Sequence, residues 1–180
     1  MPNRLKINLD FGGKKELNKG QNPVGQLNAR WLFGGTAHSL KAKVDVSLSP
    51  ANTSFKGLSD YNFEDPATPF STENKTIFDG QLDDNGNATV QANISADKNA
   101  PGMLNANFLV KVFEPGGNFS IDNFSMPYHV YNSYVGIKVP EGDKYTGMLP
   151  TGQNNVISLA NVTTAGALIG GQRQVEIEVF

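Results

Sequence analysis

Apolar residues recur at every second position over several short stretches, the pattern of strands with one face on a core. Leu5, Ile7 and Leu9 alternate with charged or polar residues over 4–10. Leu27, Ala29, Trp31 and Phe33 do the same over 24–33, and Ala42, Val44, Val46 and Leu48 over 40–48. These three strands are expected to form one antiparallel sheet face packed on a core. The Gly- and Lys-rich stretch 12–21 reads as a loop between the first two. Residues 49–74 break the pattern, because Ser, Asn, Pro and Asp dominate and Phe55, Tyr61, Phe63 and Phe70 are dispersed among them. That stretch reads as a long loop pinned to the sandwich by its aromatics.

Period two returns at 75–82, and Asp84-Asn85-Gly86 follows. Asn-Gly between alternating segments predicts a hairpin, whose returning strand presents Ala88, Val90, Ala92 and Ile94 inward. After a polar connection at 95–102, Ala106, Phe108, Val110 and Val112 mark a strand over 104–113. Glu114-Pro115-Gly116-Gly117 then turns into a strand over 118–127, carrying Phe119 and Ile121 ahead of a bulge. About seven short strands over roughly 125 residues predict an immunoglobulin- or fibronectin-III-like antiparallel β-sandwich. Beyond it, Val135, Ile137 and Val139 alternate, 140–153 is a loop, a strand lies near 156–162, and 175–179 closes the chain. This repeats how the first domain begins. The expected organisation is all-β: one complete sandwich over 1–130, then the N-terminal part of a second, similar domain over 131–180. The aromatic-rich stretch 128–134 is expected to pack between them.

Composition narrows the function. Hydrophobic residues make up 38% and the net charge is −2, too apolar for a disordered polymer and too neutral to point to nucleic acid or an acidic membrane. The 19 glycines and 10 prolines suit many strands joined by turns. The chain has no cysteine, which excludes disulfides, thiolate zinc sites and cysteine nucleophiles. No apolar run approaches the ~20 residues that cross a bilayer. The opening MPNRLKINLD lacks the apolar segment of a signal peptide, so any export signal is expected upstream in a longer parent.

Candidate chemistry is thin. His38 and His129 are the only histidines, and neither has an Asp or Glu at short ligand spacing; surface or packing roles are expected. Asp83-Asp84-Asn85-Gly86-Asn87 evokes a calcium loop, but its glycine falls one step early and no downstream Glu completes it. Asp60, Glu64 and Asp65 bring carboxylates into the aromatic-bearing loop, the residue type that glycoside hydrolysis uses. Tyr61, Phe63 and Phe70 could offer a stacking platform for sugars, against the plainer reading of loop anchors. Trp31 is read as core, and Lys14, Lys15 and Lys19 as a solvated rim. No catalytic, cofactor-binding or metal-ligating residue is assigned, and the chain is read as non-enzymatic.

Several motifs resemble, in order, those of the bacterial alpha-2-macroglobulin-like family. NARWLFGGTAHSLKAKVDVSL (28–48) resembles the second and third strands of macroglobulin-like domains, and PNRLKINL (2–9) the entering strand. FDGQLDDNGNATVQANI (78–94) resembles the Asp-x-x-Gly hairpin, KVFEPGGN (111–118) the hairpin of the last two strands, and MLPTGQNNVISLANVT (148–163) the entry to a following repeat. The resemblance implies a string of sandwiches in the periplasm or cell envelope, with an exposed bait segment whose cleavage triggers a rearrangement that cages the protease. Many members add a thioester made by a Cys and a Gln in a separate helical domain, which a chain without cysteine does not contain. What it implies here is non-catalytic scaffold work, with no cofactor. The implied partners are neighbouring domains of the same polypeptide and, through the whole protein, target proteases. The alternative is a cell-surface adhesion or carbohydrate-binding sandwich.

Overall fold

The computed structural model describes residues 4–96, 99–171, 174 and 176, and every regular element in them is a strand. The chain divides into two compact units, Met1–Asn52 with Asp65–Tyr131, and Thr53–Glu64 with Asn132–Phe180.

The first unit is a β-sandwich. Strands β1 (Leu5–Asp10), β3 (Val24–Trp31) and β6 (Asn87–Gln91) form one sheet in the order β1-β3-β6. The facing sheet has the order β2-β8-β7-β4-β5, from β2 (Leu17–Asn18), β4 (Lys41–Pro50), β5 (Glu73–Gln81), β7 (Leu104–Phe113) and β8 (Phe119–His129). Alternate residues of β4 (Ala42, Val44, Val46, Leu48) and of β7 (Leu104, Ala106, Phe108, Val110, Val112) are buried against Leu5, Leu9, Leu27, Ala29 and Val90 of the other sheet. Phe11 tilts onto Phe108 at 5.2 Å, and Phe108 stacks on its cross-strand partner Phe124 at 4.8 Å. Position 25 is glycine because the Phe11 ring lies over β3, where a Cβ would come within 2.7 Å of it.

Three expectations are corrected by pairing. The first three strands do not share a sheet: β1 pairs with β3, whereas β4 pairs with β5 and β7. Alternation reports which side chains face the core, and both sheets face the same one. Asp84-Asn85-Gly86 makes a turn, but between sheets rather than within a hairpin, since β5 and β6 lie in different sheets. The turn is held from outside: Ala29 N–H donates to the Gly86 carbonyl at 2.9 Å, and Asp83 Oδ1 accepts from Asn85 and Asn87 N–H at 2.8 Å each. Finally, β8 carries no bulge against β7, with which it pairs without interruption from Phe119↔Phe113 to Tyr128↔Leu104. The irregularity falls between Val44 and Asp45, where β4 meets β5. The Glu114–Gly117 turn does join a true hairpin.

Two further differences concern strand ends. Trp31 closes β3 half-buried, and Phe33 is 81% exposed and stacked on it at 5.4 Å. Gly34 and Gly35, both at positive φ, take the chain out of the strand there, so Phe33 no longer follows the inward parity. Within the stretch read as a loop, β2 pairs in parallel with the end of β8, burying Leu17.

In the second unit, β9 (Ser133–Lys138) pairs antiparallel with β10 (Ser158–Thr163). Tyr134, Gly136, Ala160 and Val162 are its buried residues on these strands, whereas Val135, Ile137 and Val139 are exposed. The closing strand expected at 175–179 falls outside the described residues, save Glu176.

Candidate functional site

The stretch Thr53–Glu64 leaves the first unit between β4 and β5 and packs in the second. This strap is closed at its neck, where Thr53 N–H donates to Glu64 Oε1 at 2.6 Å. Inside it, Leu58 N–H reaches the Phe55 carbonyl at 3.0 Å and Tyr61 N–H the Leu58 carbonyl at 3.1 Å. Gly57 at φ +80° permits that tight winding. Self-closure of this kind characterises an Ω-loop, compact and frequently functional.

The strap grips β9 by backbone and side chain. Asn62 and Ile137 exchange both backbone hydrogen bonds, at 2.8 and 2.9 Å, on the edge of β9 away from β10. Beside them Lys138 Nζ donates to Asp60 Oδ2 at 2.9 Å. That bond and the lysine's charge hold the Asp60 carboxyl below its ordinary value and raise Lys138 in turn. Phe63 sits edge-on to Phe55 at 4.8 Å, and Phe55 tilts onto Tyr134 at 5.5 Å. The glycine at 136 makes room, since a Cβ there would meet the Phe63 ring at 2.5 Å. The expectation that these aromatics pin the loop to the first sandwich therefore holds for Phe70, packed on that core, but not for Phe55 and Phe63.

The other candidates fall apart as sites. Glu64 closes the strap, Asp60 pairs with Lys138, and Asp65 accepts from Ala67 N–H and the Thr68 hydroxyl, which hold its carboxyl low. Phe63 is 5% exposed, so Tyr61, Phe63 and Phe70 present no common stacking surface. His38 is exposed, whereas His129 is buried with Nε2 3.6 Å from Glu16 Oε2. Lys14, Lys15 and Lys19 are exposed. Among the described residues no group of three His, Asp or Glu gathers as a metal site. Of the stretch 128–134, Tyr128 is buried in the first unit's core and Tyr134 in the second unit's aromatic cluster.

Sequence reasoning missed a polar stitch between the two sheets. Ser120 on β8 is fully buried, and its Oγ accepts from Arg4 and Leu5 N–H at 3.0 and 3.1 Å. An inward serine between the apolar Phe119 and Ile121 was the available signal, because a buried hydroxyl needs partners.

A family model, that of the bacterial alpha-2-macroglobulin MG5 domain, matches residues 3–119. The chain belongs to the bacterial alpha-2-macroglobulin family. Solved alpha-2-macroglobulins share the fold at low identity. The trypsin-activated Escherichia coli protein is 22% identical over 77% of this chain and 9% of its own, with a TM-score of 0.60. The native Escherichia coli form is 17% identical over 93% and 11%, at 0.63. The Salmonella protein reacted with methylamine is 18% identical over 93% and 12%, at 0.61. The chain thus spans about a tenth of the length of the solved alpha-2-macroglobulins it matches. No curated protein matches it. The strap lies inside the MG5 stretch although it packs with the second unit.

Proposed function

We propose that this chain is a non-catalytic scaffold segment of an exported bacterial protease trap, working in the periplasm or cell envelope. The MG5 match over residues 3–119 carries this reading. The Escherichia coli relative is described in a trypsin-activated form, in keeping with a family that responds to proteases. In this proposal the parent's bait segment is cut, the parent rearranges, and the protease is caged. This chain keeps its neighbours at fixed spacing and passes the rearrangement along.

The strap supports the second part. The chain passes between the two units at Asn52–Thr53, Glu64–Asp65 and Tyr131–Asn132, so a displacement of one is transmitted through three covalent links instead of one. The carbohydrate-binding alternative loses its carrier, since Phe63 is buried in the strap and Phe70 packs on the first unit's core.

The test uses the polypeptide that carries this chain, incubated with an equimolar broad-specificity protease. Residual activity is followed on a large protein substrate and on a small peptide. Activity lost on the first and kept on the second is the expected result. Equal activity on both overturns the trap.

A further inference from the structure

On the outer face of the β1-β3-β6 sheet, two cations stand opposite each other without an acid between them. Lys6 and Arg30 are direct cross-strand partners and both are exposed. Neither takes part in any ion pair among the described residues. Like charges directly opposite one another destabilise a sheet, so the pair opposes the fold unless something outside neutralises it.

The next row along the same face is made of amides. Asn8, Asn28 and Asn87 are aligned across all three strands. Asn28 Nδ2 donates to Asn87 Oδ1 at 2.6 Å, which leaves the Asn87 amide nitrogen and the Asn8 carboxamide as donors on the surface. Lys6, Ile7, Asn8, Asn28 and Arg30 line a shallow cavity of about 370 Å³. The acid of this face, Asp10, is four residues along β1 from Lys6, roughly 14 Å at strand rise, and its Oδ1 is held by Gly13 N–H at 2.9 Å.

We propose that this face binds an extended acidic peptide segment. One carboxylate sits between Lys6 and Arg30, and a polar side chain two residues along the segment meets the Asn8–Asn28–Asn87 row. Spacing favours a peptide over a free anion. Successive rows lie two residues apart, about 6.8 Å, the same interval that separates same-face side chains of an extended chain. A lone phosphate would use only the first row. Charge complementarity fixes the sign of the ligand, and this chain matches only 9% and 11% of the length of the solved relatives, so protein segments are what such a face meets.

The test is a titration of the 180-residue chain at low salt with a hexapeptide alternating Glu and Thr. Inorganic phosphate is titrated in a parallel arm. Side-chain amide NMR signals of Asn8, Asn28 and Asn87 report binding, and Trp31, the single tryptophan, reports the Arg30 end by fluorescence. The peptide should shift all three amides and bind more tightly than phosphate. Lys6→Glu should weaken peptide binding at least about tenfold. The same substitution should raise the melting temperature, because the reversed charge then faces Arg30. Peptide affinity unchanged in Lys6→Glu, phosphate binding as tightly as peptide, or a lowered melting temperature would each overturn the proposal.

Discussion

Replacing Phe63 by alanine tests whether the strap belongs energetically to the second unit. Phe63 is 5% exposed. A phenylalanine side chain buries roughly 150–250 Å², which at about 25 cal/mol/Å² is worth about 4–6 kcal/mol. A compact denatured state already hides some 10–40% of that area, leaving about 2–5 kcal/mol, which overlaps the roughly 3–5 kcal/mol seen for Phe→Ala in cores. The second unit comprises Thr53–Glu64 and Asn132–Phe180, that is 12 and 49, or 61 residues. Its described buried apolar side chains are Phe63, Tyr134, Ala160 and Val162, so Phe63→Ala should consume most of the stability they provide. Native-state hydrogen exchange reads the two units separately. Amides of β9 and β10, Ile137 included, should lose protection by about two to four orders of magnitude, while those of β4 and β7 keep theirs. Phe63→Leu should recover part of the loss. A decrease under tenfold in β9 and β10, or an equal decrease in β7, would refute the assignment of the strap.

Gly86→Ala places a Cβ 2.5 Å from the Ala29 carbonyl oxygen at φ +76°. The left-handed backbone alone costs roughly 1–2 kcal/mol, so a urea midpoint shift equivalent to less than about 1 kcal/mol would show that the inter-sheet turn relaxes freely. Ser120→Ala leaves the Arg4 and Leu5 N–H groups without their acceptor. At about 1–3 kcal/mol for a buried unsatisfied donor, which here is the Leu5 N–H, the Arg4 bond being part-buried, the first unit should lose about 1–3 kcal/mol to chemical denaturation, and an unchanged midpoint would mean that water replaces the hydroxyl. Asp45 gives a pH dependence. Burial works to raise its carboxyl, but hydrogen bonds from the Thr76 hydroxyl at 2.6 Å and from Lys43 outweigh it, and the net shift is below 3.8. A depressed folded value means stability that is full above about pH 4 and is lost as pH falls through the folded value. Asp45→Asn should therefore flatten part of the acid limb of a stability–pH curve; parallel curves for the two proteins would contradict the assignment.

What the sequence made legible follows from the range of each signal. The parity of β4 and β7 is the same in the pattern of Ala42–Leu48 and Ala106–Val112 as in the structure, because burial on one face leaves a period of two that needs no partner to be seen. The Glu114–Gly117 hairpin was legible for a similar reason, since turn chemistry is local. Partnership was not legible. Nothing in Asp84-Asn85-Gly86 distinguishes a hairpin from a turn between sheets, because the bond that decides it comes from Ala29. The outward parity of Val135, Ile137 and Val139 is equally undetermined by alternation, which marks an apolar face without saying what covers it.

The strap is the extreme case. A polar stretch with scattered aromatics reads as a loop on whatever precedes it, because composition carries no address. The address lay 73 residues beyond Phe63, in Gly136. A glycine inside an alternating strand signals close approach by another group, and here that group is Phe63. Taken with Asn62, which occupies the β9 edge opposite Ile137, the pairing is specific in both backbone and side chain. This is why a division of the chain at a single point does not yield two natural domains. Residues 132–180 alone would lack the aromatic lid over Tyr134. Residues 1–131 alone would keep Phe55 and Phe63 without Tyr134 to pack on. A contiguous sequence match, such as that over 3–119, therefore encloses a segment, Thr53–Glu64, that packs with the second unit.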